Sequence, residues 1–259
     1  AALAIEMFHN FSLVHDDIMD EAPIRRGKET VHEKWDLNTA ILSGDAMLVL
    51  SNQLFESYSG DQFKSLISLF NQTSLEVCEG QQFDIDFESR VKISIEEYIK
   101  MITLKTAVLV AASLKAGAII ALADNDNLEN IYDYGINLGV AFQLQDDYLD
   151  VFGGDDFGKR KAGDIIENKK TFLYLKTMEL ANDKDKIELL KLYEIEEISE
   201  VKIKSVIELF RKYQIPTIVE AEIRKYTFKA HNNIHKLSLN ENKKNVLINF
   251  ANQLMQRTV

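Results

Sequence analysis

The sequence predicts an all-α fold, a single large helical bundle, and three observations predict it. Only 2 prolines and 11 glycines interrupt 259 residues, whereas strand-rich folds need turn residues roughly every 8–12 positions. Apolar residues recur at helical spacing through long unbroken stretches. No segment alternates apolar and polar residues with a convincing period of two. No Pro-, Ser- or Gly-rich run marks a linker and no repeat is visible, so residues 1–259 are expected to form one domain.

The first element, Ala1 to Asp20, carries Leu3, Met7, Phe11, Val14 and Ile18 at helical spacing and gives way to charge and Pro23. It opens without a cap, inside a periodic pattern, so the chain is expected to begin partway through a helix and to lack N-terminal helices. Residues 21–37 read as a connecting loop with a basic centre. Helical patterns follow over 38–58, 61–87, 94–122 and 128–152, then a glycine- and charge-rich loop over 153–170. Amphipathic stretches run over 171–181, 184–193, 199–213, 216–238 and 241–256. Asp124 to Asn127 and Asn240 supply the stop and cap signals between them.

Composition excludes several classes. With 41 acidic against 30 basic residues the net charge is −11, which repels nucleic-acid phosphates, so no nucleic-acid partner is expected. A small anionic substrate still binds such a protein if metal ions and a few cations invert the field locally. The one cysteine, Cys78, excludes an internal disulfide. It suits a reducing compartment, so a cytoplasmic protein is expected. Its apolar neighbours Leu75 and Val77 favour an inert thiol. No run of about 18 apolar residues appears, so no membrane span is expected.

Two acidic clusters stand out. The first helix ends His15-Asp16-Asp17-Ile18-Met19-Asp20, and the 128–152 helix ends Gln145-Asp146-Asp147-Tyr148-Leu149-Asp150. Both read DDxxD. Positions i and i+4 share one helix face about 6 Å apart, so Asp16 pairs with Asp20 and Asp146 with Asp150. Like charges so placed destabilise a helix whose C-terminus is already partly negative. The same local rule broken twice in the same way points to function rather than to two solvated helix ends. Hard divalent cations relieve the cost, and Mg²⁺ prefers one or two carboxylates, several waters and substrate phosphate oxygens.

Cations follow each cluster. Arg25, Arg26 and His32 come after the first; Lys159, Arg160 and Lys161, then Lys169 and Lys170, come after the second. Arginine offers a planar fork that matches phosphate oxygens, and lysine a compact point charge. Lys105-Thr106 stands in an otherwise apolar stretch from Met101 to Ala112. Beside a diphosphate site it reads as pointing into a polar cavity; the alternative is a snorkelling side chain.

These residues resemble the trans-isoprenyl diphosphate synthases, the polyprenyl synthetase family of farnesyl and geranylgeranyl diphosphate synthases. The matching segments are HNFSLVHDDIMDEAPIRRGKETVH at 9–32, LSGDAM at 42–47, LKT at 104–106, and FQLQDDYLDVFGG with FGKRKAGDIIENKKT within 142–171. The C-terminal third is generic amphipathic helix. The resemblance implies an isoprenoid-synthase-like bundle around a central cavity and a short-chain prenyltransferase that joins an allylic diphosphate to isopentenyl diphosphate. It implies about three Mg²⁺ ions per active site, with Asp16 and Asp20, supported by Asp17, holding two, and Asp146 with Asp147 and Asp150 a third. Arg25, Lys105 and Lys159 would hold the allylic diphosphate, and Arg26 and His9 that of isopentenyl diphosphate. Thr106 and Gln143 would face the developing carbocation, and Lys169 would close over the site with its loop. A homodimer is implied as well. Family members begin with a helical segment carrying a GGKRxRP-like stretch, and nothing like it precedes Ala1.

Product length is expected to depend on how far the tail runs down the first helix from Asp16. On an ideal helix Ser12, Phe8 and Ile5 lie within about 80° of the Asp16 direction; the family instead points to the fifth residue before that aspartate, Phe11. Either places a phenylalanine within about 12 Å of the metals, so a product of about fifteen or twenty carbons is expected.

Three other readings compete. A class I terpene cyclase shares the fold and the first DDxxD, but its second metal motif usually has an Asn/Ser/Glu pattern. A di-iron bundle needs two ExxH motifs on separate helices; Glu6-x-x-His9 and Glu29-x-x-His32 lie too close in the chain for that. A non-catalytic regulatory partner usually loses aspartates from one or both clusters, and this chain keeps all six.

Overall fold

The computed structural model describes residues 1–153, 162–195, 197 and 199–256. Helix α1 (Ala2–Met19) buries Ala4, Phe8 and Phe11, and with them Asp17. A two-stranded antiparallel hairpin follows, β1 (Ile24–Arg25) and β2 (Lys28–Glu29), then a single turn, α2 (Val31–Lys34). Both lie in the stretch expected to be a plain loop. Strands of two residues are too short to show alternation, which is why the hairpin has no periodic signature.

Helix α3 (Leu37–Gln53) starts at Asp36, whose carboxylate accepts the Thr39 amide at 2.9 Å, and lies along α1. The 30-residue α4 (Gly60–Ser89) follows. Helix α5 (Ile95–Ile102) opens with a reciprocal cap: Ser94 Oγ accepts the Glu97 amide and Glu97 Oε2 accepts the Ser94 amide. The expected continuous helix over 94–122 is broken by a π-helical turn at Thr103–Ala107 before α6 (Val108–Ile120).

Helix α7 (Asn125–Phe152) is capped by Asp124 and packs on α6 along one side and α12 along the other. The remaining helices are α8 (Gly163–Ile166), α9 (Phe172–Leu180), α10 (Asp183–Leu192), α11 (Glu200–Lys212), α12 (Ile215–Lys236) and α13 (Glu241–Met255). The last starts at Asn240, as its cap signal predicts; its side chain accepts the Lys243 amide at 3.0 Å. The short α8 falls within the expected 153–170 loop.

Among the described residues three apolar cores form, and α7 reaches all of them: Leu144 and Val151 in the first, Leu128 and Ile136 at the second, Tyr134 and Leu138 in the third. Glycine permits the close approach of α7 to the π turn. A Cβ on Gly139 would stand 2.5 Å from Ala107 Cα.

The rod from Ile95 to Ile120 is long and apolar enough, by length and composition, to cross a membrane. In the fold the rod packs between α4 and α7, with Ala107, Ala111 and Ala116 buried.

Candidate active site

The last turn of α1 presents Asp16, Asp17 and the C-cap Asp20. The hairpin returns a cation to them. Arg26 (φ 53) and Gly27 (φ 72) both adopt left-handed backbone, the requirement of a two-residue type I′ turn. The preceding Arg25 is thereby folded back onto α1. Its Nε lies 2.5 Å from Asp17 Oδ1 and its Nη2 3.0 Å from Asp16 Oδ2. One guanidinium fork thus holds two adjacent carboxylates. The Thr30 hydroxyl, donating to the Ala22 carbonyl at 2.7 Å, closes the loop behind it.

The π turn delivers the second cation. Inserting one residue into a helix redirects the side chains within the turn, a device common at functional sites. Lys105 Nζ lies 2.6 Å from Asp84 Oδ2 on α4 and 3.1 Å from Asp16 Oδ1. Burial pulls its pKa down, but the charges of Asp84 and Asp16 outweigh that and hold it above the ordinary lysine value. Gly80 allows the approach, since a Cβ there would sit 2.2 Å from the Lys105 amide nitrogen.

The third cation is Lys169, 3.5 Å from Asp20 and 3.1 Å from Glu167. Burial lowers its pKa, but the charges of Asp20, Glu167, Asp164 and Asp84 overcome this and raise it. Burial also raises Asp17 and Asp20, against Arg25 and Lys169 respectively.

On α7 the second cluster is organised differently. Asp147 is 4% exposed; it accepts the Tyr98 hydroxyl and, at 3.0 Å, the Gln143 amide. Burial pushes its pKa up to about 7, against those two hydrogen bonds. Gln143 Oε1 in turn accepts the Thr106 hydroxyl at 3.0 Å. Asp150 is committed to α8, accepting the Gly163 and Asp164 amides at 3.2 and 3.0 Å. Asp146 is half-buried. Asp164, half-buried near Asp150 and Asp147, has its pKa raised by desolvation first and by those charges second.

Of the other expected residues, His9 is half-buried; burial lowers its pKa, and the charges of Arg26 and Arg25 add to that. Ser12 donates its hydroxyl to the His9 carbonyl of its own helix at 2.8 Å. Phe8 and Phe11 are buried with ring centroids 5.4 Å apart. Phe70 lies 5.3 Å from Phe8, and Phe55 5.1 Å from Phe70. Phe8, Phe55 and Phe70 line a narrow apolar cavity with Leu109, Ala112 and Thr73. Lys159 lies outside the described residues, as do Arg160 and Lys161. Lys170, named among the cations after the second cluster, caps α4 instead: its ammonium donates to the carbonyls of Phe87, Glu88 and Arg90 at 2.9, 3.0 and 2.7 Å. Cys78 is exposed rather than sheltered among Leu75 and Val77.

Sequence reasoning missed Asp84, Tyr98 and Asp164. Asp84 has one faint signal, its position one turn after Gly80; Asp164 lies in the matching FGKRKAGDIIENKKT segment without a role assigned to it, and Tyr98 has no signal.

The donor set fits a hard cation. Asp16 Oδ1 is buried and accepts no hydrogen bond, although the Lys105 ammonium stands 3.1 Å away as an ion pair. Among the described residues no three His, Cys, Asp or Glu side chains converge as a metal cage, and Mg²⁺ needs none, because water and phosphate oxygens complete its shell.

The fold and the site define an all-α bundle with carboxylates and cations gathered at the ends of two of its helices. Residues 1–210 match the Polyprenyl synthetase family, and the chain belongs to it. It is 42% identical over 196 residues to the short chain isoprenyl diphosphate synthase of Methanothermobacter thermautotrophicus, covering 74% of this chain and 59% of that one. The chain therefore spans about six-tenths of that relative's length. A crystal structure of a geranylgeranyl pyrophosphate synthase superposes with a TM-score of 0.92 at 50% identity, over 99% of this chain and 80% of that one. The polyprenyl synthase from Caulobacter crescentus complexed with calcium and isoprenyl diphosphate superposes at 0.89 and 27% identity, covering 99% and 77%.

Proposed function

We propose that this chain is the core of a Mg²⁺-dependent prenyltransferase that condenses an allylic diphosphate with isopentenyl diphosphate head to tail. The product is a prenyl diphosphate of about fifteen to twenty carbons. The observation that carries the reading is the convergence of Arg25, Lys105 and Lys169, from three separate elements, on the carboxylates of Asp16, Asp17 and Asp20. Such cations neutralise the acids in the free protein and can turn to phosphate oxygens when a metal–diphosphate complex arrives.

Asp16, Asp20 and Asp146 would hold Mg²⁺, which when bound would supply Lewis-acid stabilisation of the leaving diphosphate. Arg25, Lys105 and Lys169 share its developing charge, with Lys159 added on the family resemblance. Arg26 and His9 hold the diphosphate of isopentenyl diphosphate. Asp17 orients Arg25. Thr106 donates its proton to Gln143, so its oxygen presents only lone pairs to the allylic cation. Asp147 fixes the Gln143 amide, and Asp150 fixes α8; both act as positioning residues. The alkene of isopentenyl diphosphate forms the new C–C bond, and the released diphosphate takes the proton lost from the adduct. The growing tail runs beneath Phe11 and Phe8 toward Phe70.

Further parts of the reading rest on separate observations. The shared α7 supports one domain for residues 1–259. Exposed Leu42, Val49, Leu50 and Leu75 on α3 and α4 support a homodimer through those helices, testable by light scattering. The free thiol of Cys78 suits the reducing cytoplasm, testable by fractionation.

The deciding experiment supplies radiolabelled isopentenyl diphosphate to the full-length protein with dimethylallyl, geranyl or farnesyl diphosphate, with Mg²⁺ present or chelated. Metal-dependent incorporation into a short prenyl diphosphate is expected. No incorporation with any starter, or hydrocarbon from farnesyl diphosphate alone, overturns the proposal.

A further inference from the structure

Lys202 on α11 is 2% exposed, among the most buried side chains of the bundle. Burying an ammonium is costly unless every proton finds an acceptor. Here three acceptors are supplied: Asn168 Oδ1 at 2.7 Å, the Ile195 carbonyl at 2.8 Å and the Ile166 carbonyl at 3.3 Å. All three are neutral, and burial lowers the lysine pKa. An apolar side chain would fill this niche without that cost, so the reason for a lysine lies in what it holds.

Two of its acceptors belong to the strap that carries Lys169. Ile166 ends α8, whose Gly163, Asp164 and Ile165 carbonyls accept the amides of Glu167, Lys169 and Asn168, while the Ile166 carbonyl accepts from Lys202. Asn168 has left-handed backbone (φ 58) and directly precedes Lys169. The strap is fixed at its start by Asp150, through the Gly163 and Asp164 amides. It is fixed past its end by Lys170 on the last carbonyls of α4. Between these anchors, Lys202 grips the backbone and side chain just before Lys169, whose ammonium then stands 3.5 Å from Asp20.

We propose that Lys202 is a positioning residue for the reaction: by binding Ile166 and Asn168 it fixes the reach of Lys169 toward Asp20 and the diphosphate. The proposal rests on reading Lys169 as a diphosphate ligand. It assigns a part in the active site to α11, which supplies none of the site's charged groups.

The test is a double-mutant cycle in the full-length protein with K202M and K169A, read as kcat, the KM for the allylic diphosphate and the affinity for inorganic diphosphate with Mg²⁺, alongside thermal unfolding. K202M is expected to lower kcat/KM about tenfold to a hundredfold, as a displaced ligand does, and to weaken diphosphate binding. In the K169A background the same change is expected to cost almost nothing further. N168G keeps the left-handed backbone and deletes one acceptor; it is expected to reproduce part of the K202M loss, and it carries the test if K202M does not fold. Wild-type kcat/KM in the folded variant, or an equal loss with and without Lys169, overturns the proposal. A K169A enzyme with unchanged kinetics and diphosphate affinity instead overturns the assignment of Lys169 on which it rests.

Discussion

Lys105 Nζ stands 2.6 Å from Asp84 Oδ2, an ion pair that ties the π turn to α4 and aims the ammonium at Asp16. Asp84→Asn keeps the shape of the acid and removes its charge, so Lys105 loses its aim while remaining cationic. About a tenfold fall in kcat is expected, with Lys105→Met losing more. Adding Asp84→Asn to Lys105→Met should cost nothing further in steady-state kinetics. Full additivity would show that Asp84 acts independently of Lys105.

The rings of Phe11, Phe8, Phe70 and Phe55 meet in sequence, tilted or edge-on, with centroids 5.4, 5.3 and 5.1 Å apart, and on the proposed reading they form a floor in two storeys for the tail. Phe8→Ala should lengthen the product by about one isoprene unit, with Phe70 then stopping the tail. Phe8→Ala with Phe70→Ala should lengthen it further. Each truncation leaves a core cavity worth about 3–5 kcal/mol, so unfolding is measured beside product chromatography. Unchanged product from Phe8→Ala, Phe11→Ala and the double variant would place the floor elsewhere.

Asp147 predicts a trade between stability and activity. Its folded pKa, about 7, is raised above the ordinary aspartate value, so the folded protein binds more protons than the unfolded one between the two. Its ionisation therefore costs stability above about pH 7, and the cost is relieved as pH falls toward 4. Asp147→Asn should stabilise the metal-free protein at pH 8 by on the order of 1 kcal/mol. The gain should shrink at pH 5, and kcat should fall as the Gln143 amide loses its anchor. Thermal melts at the two pH values decide it; a gain that is the same at both contradicts the assignment.

Gly80 meets the Lys105 backbone with no room for a side chain. Gly80→Ala should cost about 1–3 kcal/mol in unfolding free energy and should also lower kcat, because the strain falls on the residue that carries the ammonium. Gly117, where a Cβ would meet nothing within 4 Å, is the control: Gly117→Ala should leave both quantities close to wild type.

The part of this architecture visible in one dimension is the part written as charge in an apolar setting. The two DDxxD runs and Lys105 stand out because each breaks a helical pattern, and Arg25 because it opens a basic loop directly after the first run. Asp84 does not, since Asp86 two residues away looks the same in the sequence yet accepts from Gln82 on the exposed side of α4. Only the neighbour across the helix interface tells them apart. Lys169 and Lys170 are likewise indistinguishable by type, yet one enters the site and the other closes a helix end. Asp146 and Asp150 share a helix face as spacing requires, but the amides that Asp150 accepts arrive from a turn that no periodicity announces. Helix boundaries were legible where Asp124 and Asn240 cap them; the π turn was not, because one surplus residue leaves no compositional trace.

That surplus residue has a consequence for how the chain can vary. A regular helix advances about 100° per residue, so deleting any one position within Thr103–Ala107 would smooth the rod and swing its downstream half by roughly that angle. Either Lys105 would turn from Asp16, or Ala107 and Ala111 would leave Gly139 and Gly135 facing bulkier neighbours. A change of length by a single codon is therefore closed to this segment.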